Sequence, residues 1–143
     1  MRLSVTTPRG SLVETEVDEV TAPGALGEFG ILPGHIPFVS SLKPGVFVYR
    51  IKGEPHVLAV GEGVLEVTRT DVNGTTGEKI IVLVSEGTRA ADVDRAASEK
   101  EVVDADSELQ HWNKELGGEY KALLLRRAFA SARVDAANRA APH

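Results

Sequence analysis

The sequence contains no cysteine and no long hydrophobic run, and only seven of its 143 residues are aromatic. The absence of cysteine excludes disulfides and thiolate chemistry. No apolar run approaches the ~20 residues that a membrane-spanning helix needs. The first residues alternate in polarity, whereas a signal peptide has a continuous apolar stretch. We therefore expect no signal peptide and no spanning segment, and contact with a membrane only through partner proteins.

Positive charge is also scarce, since the chain carries a formal net charge of −5 at pH 7. Proteins that bind nucleic acids usually present a basic surface to the phosphate backbone. The balance of charge therefore argues against a nucleic-acid partner.

Motifs of metal binding and catalysis are missing as well. The four histidines do not share the i, i+3 or i, i+4 spacing of helical metal ligands. No nucleophile elbow is present. Glycines between residues 24 and 34 are spaced like a phosphate cradle, but no Lys-Ser or Lys-Thr pair follows, which favours tight turns between strands. We therefore predict no metal, no catalytic residue and no enzymatic activity of the chain's own.

The composition changes near residue 88. Twelve of the 14 glycines and six of the seven prolines precede it, whereas 13 alanines fall between Ala90 and Ala141. Glycine and proline interrupt helices, and alanine favours them. The sequence therefore predicts a β-rich domain over residues 1–87 and a helical domain over residues 88–143.

The first domain reads as many short strands separated by turn signals. Alternating or β-branched runs occupy residues 3–7, 12–20, 46–51, 57–60, 64–68 and 80–84. Pro-Gly, Asn-Gly and Lys-Gly turns lie between them. Evenly spaced short strands of this kind predict a β-sandwich or barrel.

The second domain reads as two helices broken at Gly117-Gly118, with Thr88 as the N-cap of the first. Residues 92–108 carry seven acids and two bases, and residues 121–139 carry five bases and one acid. An antiparallel hairpin would pair these charges, although each exposed pair contributes only ~0.2–1 kcal/mol. Alanine-rich faces bury little area. We therefore predict a hairpin of marginal stability that is able to move.

The stretch from Gly27 to Phe38 combines glycine and proline stops with apolar side chains. A loop that presents Ile31, Ile36 and Phe38 either packs on its own sandwich or packs on another protein. The residues alone leave both alternatives open.

The pattern Gly-Glu-x-Gly-Ile-x-Pro-Gly-His-x-Pro from Gly27 to Pro37 is similar to the signature of ATP synthase epsilon subunits. Leu42–Gly45 and Gly61–Val67 resemble two further family segments in the expected order, with Glu62 between two glycines. The resemblance implies a ten-stranded β-sandwich followed by an antiparallel two-helix hairpin. It also implies a non-catalytic subunit that couples the gamma shaft to the proton-carrying membrane ring of c subunits.

The resemblance assigns contacts residue by residue. It implies that the ring is contacted by Gly27, Glu28 and Phe29, and the gamma subunit by His35, Ile36, Pro37 and Phe38. Three alternatives stay open: Glu28 is a solvated turn residue, Phe38 belongs to the core, or His35 caps a turn.

In bacterial members of the family, the helices can extend toward the catalytic hexamer and block ATP hydrolysis. A basic second helix suits contact with acidic loops of the alpha and beta subunits. Alternatively, it pairs only with the acidic first helix. The basic residues are Arg126, Arg127, Arg133 and Arg139.

Some relatives bind ATP through Ile/Leu-Asp-x-x-Arg-Ala at the start of the first helix. In the corresponding run, Asp94 is in place, but Ala97 and Ser98 stand where arginine and alanine are expected. The resemblance therefore does not support ATP as a cofactor. Inhibitory or nucleotide contacts, where made, would fall on Asp94, Arg126, Arg127 and Arg133.

Two other classes compete with the rotor subunit. A sandwich that binds small ligands would display exposed aromatics, of which this chain has few, and a small-barrel metalloenzyme would need more histidines. The resemblance places the chain at the cytoplasmic face of the bacterial plasma membrane, as a peripheral protein.

Overall fold

The computed structural model describes residues 1–140, apart from the side chains of Val72 and Thr75. Residues 141–143 of the predicted second domain lie outside this range. Ten strands precede two helices, as predicted. The strands are β1 Arg2–Thr7, β2 Gly10–Glu16, β3 Glu19–Gly24, β4 Gly27–Ile31, β5 Phe38–Leu42, β6 Gly45–Ile51, β7 Glu54–Val60, β8 Gly63–Val72, β9 Thr75–Val84 and β10 Gly87–Arg89. A 3₁₀ turn, Ala90–Asp92, leads to α1 Arg95–Gln110 and α2 Gly118–Ala140.

The strands form two layers of five. In the first layer the order is β10-β7-β6-β3-β4, and in the second it is β5-β8-β9-β1-β2. The layers are joined where Gly24 of β3 pairs with Leu42 of β5. The β1–β9 pair is parallel and the other pairs are antiparallel. The predicted β-sandwich with an appended helical hairpin is therefore confirmed.

The core lies between the two layers, where alternate residues of each strand point inward. Fully burying one large apolar side chain stabilises the fold by ~1.5–3 kcal/mol. The largest side chains with less than 2% exposure are Phe47, Leu3, Ile31, Leu58, Leu65 and Ile80.

The turns gather at two opposite ends of the sandwich. At the Leu26 end, Ala25 N donates to Ser41 O at 2.9 Å and Gly61 N donates to Glu86 O at 2.9 Å. At the His35 end, Lys52 N donates to Asp18 Oδ2 at 2.6 Å. The loop of residues 32–37 also lies at this second end, so β4 spans the distance between the two.

Two parts of the strand prediction are wrong. The stretch after Gly27 was expected to be a loop, yet β4 occupies its first five residues and buries Ile31 completely. Gly27 has a φ of +134°, which allows the tight turn that brings β4 back onto β3. The run 12–20 was expected to be one strand, but it is divided between β2 and β3.

The first helix begins and ends elsewhere than predicted. Thr88 belongs to β10, and the N-cap is Asp94, whose Oδ1 accepts from Ala97 N at 3.0 Å. The helix ends at Gln110, so the break lies at residues 111–117 and Trp112 falls in the connection. Trp112 packs edge-on against Tyr120, with 5.5 Å between the ring centroids, which organises this connection.

The hairpin packs on the sandwich through α2. Phe129, Ala132 and Ala136 are buried against Val46 and Ala59 of β6 and β7. The outer face of β6 and β7 in the first layer is therefore covered by the chain's own helix.

Candidate partner-binding surfaces

The outer face of the second layer is open and carries an apolar patch. Val39, Val64 and Leu83 are 65%, 44% and 54% exposed, and Ile81 is half-buried beside them. Val64 pairs directly with Leu83 across β8 and β9. Contiguous exposed apolar side chains of this kind mark contact with another molecule. We call these four residues the open-face patch.

Sequence reasoning missed the open-face patch, although a signal was present. Residues 80–84 read Ile-Ile-Val-Leu-Val without alternation. An uninterrupted apolar strand is typical of burial on both faces. Because the inner face of β9 is already in the core, the outer face of the strand needs a second cover.

The residues predicted to contact the ring lie near the Leu26 end. Glu28 is exposed, and its Oε2 lies 3.8 Å from a guanidinium nitrogen of Arg139 at the end of α2. Phe29 is half-buried and packs against the core. Leu26 at the tip of the β3–β4 turn is fully exposed. An exposed carboxylate and an exposed leucine at one tip can contact a loop that offers both polar and apolar groups.

The residues predicted to contact the gamma subunit begin at the His35 end. Ile36 is 70% exposed and Pro37 is exposed. The His35 ring lies 4.9 Å from the Phe38 ring, centroid to centroid. Gly34 N donates to Glu78 Oε1 at 2.5 Å, so β9 holds the loop in place.

The structure connects the two predicted contact sites. Phe29 and Phe38 meet edge to face, with 5.4 Å between the ring centroids. A groove of about 510 Å³ between the β3–β4 turn and β5 is lined by Leu26, Glu28, Phe29, Phe38 and Val39. Phe38 packs against the core and also lines the groove. It can therefore be a core residue and a surface contact at the same time. The groove leads from the Leu26 end into the open-face patch.

The candidate residues of the hairpin form hydrogen bonds and ion pairs with other residues of the hairpin. Arg126 binds Glu108 and Arg127 binds Asp106, each at 2.8 Å. The hydrogen bond to Asp106, and then the charge of this carboxylate, raise the pKa of Arg127. Arg133 donates to Ser98 and Glu101 of α1. These contacts confirm the predicted charge pairing of the two helices, whereas Asp94 caps α1.

Within residues 1–140, no helix is both long and apolar enough to cross a bilayer. The same residues contain no group of three or more histidine and carboxylate side chains arranged to hold a metal ion.

Known proteins are similar to this chain in sequence and in architecture. The family model described as ATP synthase, Delta/Epsilon chain, beta-sandwich domain matches residues 1–90. The ATP synthase epsilon chain of Citrifermentans bemidjiense is 37% identical over 110 residues, which cover 77% of this chain and 74% of that protein. The epsilon chain of Geotalea uraniireducens is 42% identical over 94 residues, which cover 66% and 62%.

Solved structures support the fold. A chain of the Euglena gracilis mitochondrial ATP synthase, solved as an OSCP/F1/c-ring assembly, superposes with a TM-score of 0.67 at 18% identity over 95% of this chain and 76% of that one. A chain of the Tetrahymena thermophila central stalk/c-ring gives 0.64 at 17% identity over 96% of both. The alternative of a ligand-binding sandwich unrelated to ATP synthase is therefore excluded, and the chain belongs to the family of ATP synthase epsilon chains of the bacterial F type.

Proposed function

We propose that this chain is a non-catalytic subunit of the rotary ATP synthase that joins the gamma shaft to the membrane ring of c subunits during ATP synthesis. The observation that carries the proposal is one continuous surface. The open-face patch runs through the groove at Phe29 and Phe38 to Glu28 and Leu26. A subunit that transmits torque must hold two neighbours at once, and this surface offers an open sheet face for one and the exposed tip at the Leu26 end for the other.

The open-face patch suits the gamma subunit. Permanent interfaces resemble a domain core cut in half, with apolar side chains at the centre and polar groups at the rim. Here Val64 and Leu83 form the centre, and Glu66 lies beside them as the partner of Val39 and Ile81 in the ladder. The loop at Ile36 extends the apolar surface toward the His35 end.

The Leu26 end suits the ring. Glu28 offers a carboxylate and Leu26 a fully exposed leucine beside a tight turn. A polar loop between two membrane helices can pair a cation with the carboxylate and bury an apolar side chain against the leucine. The related chains in the Euglena and Tetrahymena assemblies were solved with a c-ring, which supports a ring as one partner of this chain.

Charged substitutions in the patch test the gamma contact. We expect Val64→Asp and Leu83→Asp to weaken binding to a cognate gamma subunit at least 30-fold, because each buries an unpaired charge at the interface centre; this is about the effect of losing one hot-spot residue. Calorimetric titration measures the affinity. Val103→Asp is the matched control, because Val103 is 66% exposed but lies on α1. Equal affinity of all three variants would contradict the assignment of the patch.

We propose further that the hairpin inhibits ATP hydrolysis when it leaves the sandwich. The support is the basic face of α2 together with its docking on a small, alanine-rich contact. Deleting residues 94–143 is expected to raise the rate of ATP hydrolysis by the assembled enzyme several-fold. Steady-state hydrolysis by complexes that carry the full or the truncated chain measures this. An unchanged rate would show that the hairpin has no inhibitory role.

The proposal includes no bound ATP. Arg126, Arg127 and Asp94 have partners inside the hairpin, and Ala97 supplies no side chain that reaches a phosphate. The chain would act at the cytoplasmic face of the bacterial plasma membrane, where the c-ring would anchor it.

A further inference from the structure

Arg133 differs from the other arginines of α2 in its surroundings. Its side chain is 18% exposed, compared with 55% for Arg126 and 40% for Arg127. Nε donates to Ser98 Oγ at 3.1 Å, and a terminal nitrogen donates to Glu101. The hydroxyl of Ser98 is on a residue only 3% exposed. Arg133 therefore binds α1 through both Nε and a terminal nitrogen of its guanidinium.

The same guanidinium also contacts the docking face. Its central carbon lies 4.9 Å from the centroid of the Phe129 ring. Phe129 is 5% exposed and is buried against β6 and β7. A guanidinium over an aromatic ring is attracted by the ring's negative face. Arg133 thus touches α1 directly and touches, through Phe129, the contact between α2 and the sandwich.

The position of α1 depends on its contacts with α2. The pairings of Arg126 with Glu108 and of Arg127 with Asp106 are exposed, and such pairs contribute little. Ala105 and Ser98 are the buried residues of α1, and both are small. With 16 residues, α1 is only slightly longer than the ~12–15 residues below which an isolated helix is marginal in water. Separation from α2 would therefore weaken the hydrogen bonding of α1.

We propose that Arg133 holds α1 against α2 and so closes the hairpin, and that Glu101 is its anionic partner within the chain. We call this contact the latch. Closure of α1 on α2 then requires no bound nucleotide or other anionic ligand. The latch goes beyond the proposed rotor function, because it concerns the isolated chain and holds whether or not the sandwich binds gamma.

Amide hydrogen exchange of the full chain tests the latch. In Arg133→Gln, amides of α1 are expected to exchange at least about tenfold faster, because a charge-assisted, partly buried hydrogen-bond pair is lost. Amides of β8 and β9 serve as the internal reference and should not change. Arg126→Gln is the matched control: it removes an exposed pair from the same helix and should accelerate α1 less than about fivefold.

Two further arms separate the latch from a general loss of helix stability. Glu101→Gln should accelerate α1 exchange, and the double variant with Arg133→Gln should exchange no faster than Arg133→Gln alone, as for two residues that act as one pair. Adding millimolar MgATP should leave the exchange of wild-type α1 unchanged. Equal acceleration by Arg126→Gln, additive effects of the two latch substitutions, or slower exchange with MgATP would each overturn the proposal.

Discussion

Replacing Gly63 by alanine is expected to lower the free energy of unfolding of the sandwich by about 3 kcal/mol or more, since overpacking against a rigid neighbour is among the costly substitutions. A Cβ at this position would lie 1.9 Å from the carbonyl oxygen of Leu83 and 2.8 Å from Cα of Val84. Both atoms belong to the backbone of β9, so no side-chain rotation relieves the overlap. Gly63 pairs with Leu42 on one side and Val84 on the other, which fixes its strand between two neighbours.

Urea unfolding followed by circular dichroism measures the loss. Gly77→Ala is the matched control, because Gly77 lies in β9 and a Cβ there would meet no atom within 4 Å. We expect the control to change the free energy of unfolding by less than about 1 kcal/mol. If the two variants were equally stable, β8 and β9 would not approach each other as closely as described.

Replacing Phe129 by alanine is expected to release the hairpin from the sandwich. Phe129 is the large side chain of the α2 contact, and the alanines beside it bury little area. Truncation of a buried phenylalanine typically costs ~3–5 kcal/mol. Amides of α2 should therefore exchange about 100-fold faster than in the wild type, whereas those of β8 and β9 should not change.

Leu124→Ala is the matched control for Phe129→Ala, because Leu124 is on the same helix but 41% exposed.

In the assembled enzyme, deletion of the hairpin and Phe129→Ala should change the rate of ATP hydrolysis in opposite directions. Deletion removes the inhibitor and raises ATP hydrolysis, whereas Phe129→Ala frees the inhibitor and lowers it. A Phe129→Ala chain with wild-type exchange in α2 would show that docking does not depend on this residue.

Much of the fold was predictable because local and global signals agree. The turns at Lys52-Gly53 and Asn73-Gly74 adopt positive φ, which glycine and asparagine favour, and strands lie on both sides. The helix boundaries were less predictable. Thr88 and Asp94 are both good N-caps, and only the pairing of Thr88 with Ala59 in the sheet decides between them.

The candidate site was predictable only in part. The motif identified Glu28 and His35, but no local pattern indicates that Phe29 and Phe38 meet, because the contact joins two strands across the β4–β5 loop. Arg139 approaches Glu28 from the far end of α2, which depends on how the hairpin docks. The open-face patch depends on the order of strands in the second layer, and single-sequence periodicity does not contain that order.

In the proposed function, the open outer face of the second layer binds the gamma shaft. Amide hydrogen exchange of the full chain, alone and mixed with an equimolar cognate gamma subunit, tests it most directly. We expect a one-to-one complex with slower exchange in β5, β8 and β9 and in the loop of residues 32–37. A complex whose protection fell on β6 and β7 instead, or the absence of any complex, would contradict it.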